Sequence, residues 1–311
     1  MRIIAGTTDF KILKPTAVAI GKFDGFHRGH RELLQQVLHT KKEGYLSTIF
    51  TFDPPPEVLF GIRQAKEITT KEEKRIIFEK MGVDILIEYP LNEISAAIPP
   101  EEFVREVLKE RMNMSYLAAG YDLSFGHKGA GNAELLRRLA PELDFELKII
   151  DKVCEDGREI SSTFIREEVE NGNMEHVTKL LGEPYMVIGE VVHGAKLGRK
   201  IGMPTINILP QKEKMLPPKG VYYSKTIIGE KEYKSITNIG EKPTVSDEKQ
   251  IGVETYLYEF DQDVYGKNAI VKLLKFKRPE KKFTDLDELK AQMLADINDG
   301  REFKTKEENA E

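Results

Sequence analysis

Two histidines, His27 and His30, stand where a buried strand gives way to a helix. An apolar run over Thr16–Ile20 stops at Gly21, and a helical pattern begins near the second histidine. The free N–H groups and the dipole at a helix start attract phosphate. Glycines let a ligand approach the backbone closely, and imidazoles donate hydrogen bonds to phosphate oxygens. Residues 18–34, VAIGKFDGFHRGHRELL, therefore suit a nucleotide.

A second group of polar side chains precedes another apolar helical run. Ser161, Ser162 and Thr163 come directly before Phe164 and Ile165, with Arg166 one position further on. Hydroxyls in this position commonly cap a helix N-terminus. Hydroxyls and an arginine on one helical turn can equally hold phosphate. From the residues alone, both interpretations stay open.

A third candidate is the glycine-rich stretch over residues 189–207, GEVVHGAKLGRKIGMPTIN. It has four glycines together with Lys196, Arg199 and Lys200. Such a loop can form a flexible cationic cover for a polyphosphate. Composition alone favours the simpler alternative, a turn-rich connection between strands.

Residues 18–34 resemble the signature of the HxGH nucleotidyltransferase superfamily, and the Phe-Asp-Gly before the histidines is similar to prokaryotic FAD synthetases. This resemblance implies transfer of an adenylyl group from ATP to a phosphorylated acceptor. Residues 120–126 (GYDLSFG) and 160–166 (ISSTFIR) resemble the second and third motifs of that family. By resemblance, His27, His30 and Arg166 are catalytic. The implied nucleotide-binding residues are Gly21, Phe23, Asp24, Gly29, Asp122, Ser162 and Thr163, with a structural role for Asp122 equally open.

The later glycine-rich stretch resembles the HGxxxGRxxGFPTAN signature of riboflavin kinases, with Met203 and Ile206 as apolar replacements. The strings GVY at 220–222 and NIGEKPT at 238–244 agree with it. The resemblance implies that Thr205 and Asn207 hold Mg²⁺, for which oxygen ligands are suited, and that Glu254 is the general base. Taken alone, a glutamate in a strand is more often a solvated residue. Other implied nucleotide-binding residues are Gly194, Lys196, Gly198 and Arg199.

Together the two resemblances imply a bifunctional enzyme of FAD biosynthesis. Riboflavin is phosphorylated to FMN by ATP and Mg²⁺, and FMN is then adenylylated by a second ATP with release of pyrophosphate. One alternative is a riboflavin kinase with a weakened adenylyltransferase half, because Pro55 stands where the family commonly has a histidine. Another is a non-catalytic carrier or sensor of flavin or nucleotide.

The chemistry needs elements that bring these residues together, and the first 150 residues provide a suitable pattern. Short β-branched runs alternate with amphipathic helical runs, which predicts parallel βαβ units in a Rossmann-like α/β domain. Ligands in such sheets bind beyond the carboxyl ends of the strands, where His27, His30 and Asp53 fall. No GxGxxG follows a strand and no GxxxxGK[ST] occurs, so neither a dinucleotide-type site nor a P-loop is indicated.

The periodicity changes near residues 181–184, LGEP. From there on, apolar-alternating runs with Gly and Pro between them predict about six strands, and hence a small β-barrel. Leu286–Ile297 predicts a closing amphipathic helix. We therefore expect an adenylyltransferase domain over residues 1–182 and a riboflavin kinase domain over 183–311.

Composition and net charge limit the classes of partner that the protein is expected to bind. The 311 residues carry a formal net charge of -5, and the sequence pI is about 5.9, so no electrostatic term favours nucleic acid or an anionic membrane. The single cysteine, Cys154, cannot form an internal disulfide. Neither a signal segment nor a membrane-spanning run is evident. We expect a cytoplasmic protein whose partners are riboflavin, FMN and ATP, with a homo-oligomer left open.

Overall fold

The computed structural model describes residues 1–61, 66–194, 197–242 and 250–305. Its internal contacts divide the chain into two compact units, Met1–Ser162 and Thr163–Glu311. Each unit is described by itself below.

A parallel sheet of six strands forms the first unit, in the order β1-β4-β3-β2-β5-β6. A two-stranded antiparallel hairpin, β7–β8, follows it. The strands are β1 Arg2–Ala5, β2 Thr16–Ile20, β3 Leu46–Asp53, β4 Ile85–Pro90, β5 Met114–Gly120, β6 Glu146–Ile150, β7 Cys154–Glu155 and β8 Arg158–Glu159. The helices are α1 Arg28–His39, α2 Pro56–Leu59, α3 Lys71–Lys80, α4 Glu93–Ala96, α5 Pro100–Glu102 and α6 Ala133–Glu142.

Local sequence explains the elements around the two histidines. All five residues of β2, TAVAI, are buried, as expected for a central strand of a parallel sheet. Helix α1 buries Leu33, Leu34 and Val37 on one face. Thr70 and Glu73 form a capping box at the start of α3. These signals fix where the chain leaves β2 and enters α1.

Some elements of the first unit differ from the sequence expectation. The edge strand β1 was not predicted, because in its short run RIIA only Ile4 is buried. The hairpin β7–β8 and the short helices α2 and α4 were also missed. Helix α5 leads directly into a π-helix over Phe103–Arg111, a form that hydrophobic periodicity does not distinguish from an α-helix.

The second unit is a closed antiparallel barrel in the order β10-β13-β12-β11-β14-β9. Its helices are α7 Ser162–Glu170, whose first residue belongs to the first unit, α8 Met174–Leu181, α9 Leu197–Lys200 and α10 Leu286–Glu302. Its strands are β9 Tyr185–Val192, β10 Thr205–Pro210, β11 Gly220–Ile228, β12 Lys231–Lys242, β13 Gln250–Leu257 and β14 Asn268–Pro279.

Helix α10 packs on the barrel through Ile297, which joins a cluster with Val221, Ile236 and Tyr258. Gly300 lies so close to Ile236 and Tyr258 that a Cβ would overlap both side chains. Helix α10 ends at Glu302, past the predicted end at Ile297. Among the described residues, no helix combines the length and apolarity that crossing a membrane requires.

The predicted fold class, a parallel α/β domain followed by a six-stranded barrel with a closing helix, is confirmed. The contacts divide the chain between residues 162 and 163, whereas the change in periodicity lies near residue 182. Helix α8 accounts for part of this difference, because it packs on β9 and β14. Its Glu175 pairs with Lys275 of β14 at 3.2 Å.

Candidate functional sites

A cavity of about 300 Å³ opens at the carboxyl ends of β2, β5 and β6 in the first unit. This is the sheet edge at which the sequence predicts a ligand. The predicted residues that line it are Gly21, His27, Gly29, His30, Asp122 and Ser162. The motifs that are separated in sequence by about 140 residues thus meet at one cavity.

His27 is the N-cap of α1, and its Nδ1 accepts a hydrogen bond from the His30 backbone N–H at 3.4 Å. The two imidazole rings stack with centroids 3.7 Å apart and an interplanar angle of 20°. Because Nδ1 of His27 is the acceptor, a neutral His27 carries its proton on Nε2. That N–H is the donor this residue can offer to a ligand.

Burial keeps both imidazoles neutral near pH 7. It lowers the pKa of His27 from 6.5 to about 4, outweighing the attraction of Asp122 and Asp24 for the charged form. The pKa of His30 is also held well below its usual value, first by burial and then by repulsion of its charged form by the charged forms of His27 and Lys74. His30 Nδ1 is buried and has no hydrogen-bond partner among the described residues. As a neutral imidazole, each ring has one N–H group that can donate a hydrogen bond to an anionic group.

Close packing at the turn explains its glycines. A Cβ at Gly29 would lie 3.2 Å from the His27 ring, so a side chain there would push the imidazole aside. Gly25 has φ +64°, a left-handed conformation that side chains disfavour, and a Cβ there would lie 2.9 Å from Ile68. The spacing of glycines in this motif follows from the position of the histidines.

Phe23 and Asp24, predicted to bind the nucleotide, do not line this cavity. The Phe23 backbone has φ 52°, and its fully buried ring lies 5.2 Å from the His30 ring, centroid to centroid. Asp24 Oδ1 accepts hydrogen bonds from the backbone N–H groups of Ile68 at 2.9 Å and Thr69 at 3.2 Å. Both residues support the turn on which His27 and His30 sit.

The third motif is divided between the units. Ser162 donates its hydroxyl hydrogen to the Asp24 carbonyl oxygen at 2.8 Å, within the first unit. Thr163 is exposed and Arg166 is 8% exposed, and both belong to the second unit. The Arg166 guanidinium lies 3.6 Å from Met215 Sδ.

Pro55, which replaces the family's common histidine, precedes the short helix α2. Asp53 stands at the end of β3 as predicted, and its carboxylate pairs with Lys71. Lys71 also lies 3.2 Å from Glu88 at the same sheet edge. A proline offers no titratable group, so nothing at position 55 can donate to a ligand.

The barrel has its own cavity of about 240 Å³, lined by the predicted residues Gly198, Thr205 and Glu254. Thr205 Oγ1 donates to Glu254 Oε1 at 2.5 Å. Asn207 stands directly opposite Glu254 in the pairing of β10 with β13 and is 7% exposed. Adjacent antiparallel strands therefore bring a hydroxyl, an amide and a carboxylate together.

Two glycines of the barrel motif allow the backbone to approach these groups. A Cβ at Gly194 would overlap the Asn207 amide, and one at Gly198 would overlap the Met203 carbonyl oxygen. Arg199 is exposed on α9. Lys196 and the last two residues of NIGEKPT lie outside the described residues.

The sequence left two features of these cavities unassigned. An apolar wall of the barrel cavity comes partly from α10, and its members are Val221, Ile236, Tyr256, Phe283, Leu289, Met293 and Ile297. The amphipathic pattern of α10 predicted a buried face but not what that face borders. In the first cavity, Lys22 and Lys152 also contribute to the lining.

Sequence comparison matches both halves of the chain to known families. The sequence model of the FAD synthetase family matches residues 9–164, and that of the riboflavin kinase family matches residues 181–304. Similar curated proteins are named bifunctional riboflavin kinase/FMN adenylyltransferase. That of Listeria monocytogenes is 36% identical and covers 94% of this chain and 93% of its own length. Those of Escherichia coli K12 (36%; 92% of each chain) and Bacillus subtilis (32%; 90% of each chain) agree.

A solved structure shares the whole fold. The crystal structure of a Streptococcus pneumoniae protein named a macrolide-efflux protein aligns with a TM-score of 0.85 and 29% sequence identity. The alignment covers 97% of this chain and 99% of that one. Its name differs from those of the curated relatives, and the alignment itself concerns the fold.

Proposed function

The chain belongs to the family of bifunctional riboflavin kinase/FMN adenylyltransferases, and we propose that its two cavities divide the two reactions between them. Riboflavin is phosphorylated to FMN in the barrel cavity, and FMN is adenylylated to FAD in the cavity of the first unit. Both steps use ATP. We assign the activities to residues 183–311 and 1–182 respectively, and we place the enzyme in the cytoplasm.

In the barrel, Glu254 is the general base that accepts the proton of the riboflavin 5′-hydroxyl. The hydroxyl oxygen forms a bond to the γ-phosphorus of ATP, and ADP leaves with the electrons of the broken bond. Thr205 supports this role because its hydroxyl already donates to Glu254 Oε1 and fixes the carboxylate's orientation. Gly198 lies beside Thr205, and its lack of a side chain lets the backbone pack against the Met203 carbonyl oxygen.

Thr205 and Asn207 fit a Mg²⁺ ion, since both offer neutral oxygen donors beside a carboxylate. Gly194 leaves just enough space for the Asn207 amide, which holds that side chain in place. A bound Mg²⁺ supplies neutralisation of charge on the phosphates. The exposed Arg199 on α9 adds positive charge, and nucleotide binding by Lys196, outside the described residues, rests on the motif alone.

The apolar wall formed by β11, β12, β13 and α10, with Phe283 just before α10, suits the flavin ring. It contains Tyr256 and Phe283, two aromatic side chains able to stack on a flat ring system, and Met293, an adaptable apolar side chain. The polar end of the same cavity contains Glu254 and Asn238. Riboflavin would thus place its ring against α10 and its ribityl chain toward Glu254.

In the first cavity, an oxygen of the FMN phosphate attacks the α-phosphorus of ATP, and pyrophosphate leaves. A phosphate nucleophile is already anionic, so this step requires no general base. His27 and His30 stabilise the developing negative charge as hydrogen-bond donors at the start of α1. Within this cavity, the proposed triphosphate contacts come from Ser162, Asp122, Gly21 and Gly29. For Arg166 and Thr163, phosphate binding rests on the family motif alone.

The observation that carries this assignment is the stacked pair of neutral histidines at the N-terminus of α1, at the carboxyl edge of the sheet. A direct test is His27→Asn, because asparagine retains an N-cap oxygen while removing the imidazole. We expect FAD formation to fall on the order of 10²- to 10³-fold, while FMN forms from riboflavin at the wild-type rate. Equal loss of both activities, with a lowered melting temperature, would instead indicate a structural role.

Pro55 favours one alternative, a chain that is natively only a riboflavin kinase. The variant Pro55→His restores the family's common residue. If the wild-type protein made only FMN and the variant also made FAD, the kinase-only alternative would be correct. A carrier is less well supported, because binding alone gives no reason for Glu254, Thr205 and Asn207 to converge.

A further inference from the structure

The cavity that contains His27 and His30 has little positive charge for a triphosphate ligand. The two imidazoles are neutral near pH 7, so formal charge comes from the other lining side chains. Two lysines face three carboxylates there. These residues are Lys22, Lys152, Asp122, Asp151 and Glu159. A polyphosphate entering this cavity needs each available cation.

Lys152 is the better placed of the two lysines. It follows β6 by two residues, and its Nζ lies 2.7 Å from Glu159 Oε2 and 3.9 Å from Asp122 Oδ2. The next residue, Val153, approaches the start of α1, since a Cβ at Gly29 would be 4.0 Å from Val153 Cγ2. The lysine therefore sits beside the helix N-terminus that carries the two histidines.

Charge interactions connect Lys152 to the carboxylates that lie near His27. The nearby carboxylates of Glu159 and Asp122 raise the pKa of Lys152, so it stays protonated at neutral pH. Asp122 also favours the charged form of His27. One carboxylate thus lies within electrostatic reach of both the lysine and the first histidine of the motif.

The two lysines pair with different carboxylates, and only the carboxylates that pair with Lys152 line the cavity in which a phosphate would bind. Lys22 is 55% exposed and pairs with Glu57, which does not line the cavity. Lys152 pairs with acids that are part of the cavity wall. Exposed ion pairs contribute little stability, so the ammonium can exchange Glu159 for a phosphate oxygen at small cost.

We propose that Lys152 binds the triphosphate of ATP during adenylyl transfer, with Glu159 holding its ammonium in position until ATP enters. The inference rests on the proposed function. As the bond between the FMN phosphate oxygen and the α-phosphorus forms, the bond to the β-phosphate oxygen breaks, and pyrophosphate leaves with that electron pair. The Lys152 ammonium stabilises the charge that collects on pyrophosphate, and no proton needs to move.

The test removes the charge while keeping most of the length of the side chain. Lys152→Met should lower kcat/KM for ATP in FAD formation from supplied FMN by about 10- to 100-fold, as expected for one charge-assisted hydrogen bond. Inhibition by pyrophosphate should weaken in parallel. The matched control is Lys148→Met, which removes an exposed lysine on β6 that does not line the cavity. It should stay within about twofold of wild type.

A second variant examines the ion pair from its other side. Glu159→Gln retains an acceptor for Lys152 but removes a negative charge from the cavity, so KM for ATP should fall a few-fold. Unchanged kinetics in Lys152→Met, or the same loss in Lys148→Met, would overturn the inference. Phosphorylation of riboflavin in the barrel should be unaffected by all three changes.

Failure of the inference and failure of the proposed function give different results. If the wild-type protein formed no FAD, the proposed function would fail. ATP binding, measured by titration calorimetry, would still decide the role of Lys152. A wild-type affinity for ATP in Lys152→Met would contradict that role, and a loss confined to one of two binding sites would support it.

Discussion

The stability of the first unit should depend on pH through His27. Burial lowers the pKa of its imidazole from 6.5 to about 4, so the unfolded chain binds a proton that the folded chain rejects. The contribution of His27 to stability is therefore fully present above pH 6.5 and is lost as the pH is lowered from about 6.5 to about 4. The full difference corresponds to about 3 kcal/mol, of which about 2 kcal/mol should be lost by pH 5.

The variant His27→Asn isolates this contribution, because it keeps an N-cap acceptor for the His30 N–H but does not titrate. Amide hydrogen exchange of the buried strand β2 reports the unfolding free energy of the first unit. Between pH 7.5 and 5, wild type should lose about 2 kcal/mol more than the variant. Saturating ATP should reduce that difference, since phosphate charge favours protonated imidazole. Equal losses in both proteins would refute the assignment of a neutral, buried His27.

Three further predictions concern the barrel. Glu254→Gln should lower riboflavin phosphorylation by about 10²- to 10⁴-fold and leave adenylylation of supplied FMN unchanged, measured by separating the flavins chromatographically; an unaltered kinase rate would remove Glu254 from the mechanism. Gly194→Ala should place a methyl group against the Asn207 amide and reduce kinase activity on the order of 10²-fold, with wild-type activity showing that the loop moves freely. Fragments starting at Thr163 and at Glu183 should both phosphorylate riboflavin. The shorter fragment should melt at a lower temperature because it lacks α8, whose Leu180 is buried. Equal melting temperatures would contradict this role of α8.

Periodicity predicted most of the fold because buried positions recur along the sequence at the period of the helix or strand that contains them. Over β11, GVYYSKTII, burial alternates at the strand period from Tyr222 to Ile228, although two of the buried positions are the polar Ser224 and Thr226. The apolar run Thr16–Ile20 likewise predicted β2, all of whose residues are buried. The strand β1 escaped notice because it is short and mostly exposed at the sheet edge.

Motifs predicted which residues gather at each site but not which way every side chain faces. Phe23 belongs to the motif, yet its positive φ accompanies a ring that packs in the core beneath His30. Nothing in the residue type signals that orientation. Conversely, Lys152 belongs to no motif and reaches the cavity only because β6 lies next to β5 in the sheet. Strand order of this kind is a tertiary property.

The apolar wall of the barrel cavity could not be assigned for a related reason. Its aromatic residues Tyr256 and Phe283 are separated by the whole of β14, and its aliphatic residues come from β11, β12 and α10. Each of these segments predicts a buried face by itself. Only the closed barrel and the packing of α10 against it bring those faces to one side of Glu254.

The central claim is that one chain carries both reactions at separate sites, and a time course with purified protein, riboflavin, ATP and Mg²⁺ tests it most directly. Chromatographic separation of the flavins should show FMN rising first and FAD following as FMN is consumed. The same experiment with His27→Asn should stop at FMN. FMN accumulation without FAD in the wild-type protein, or no conversion of riboflavin at all, would contradict the account.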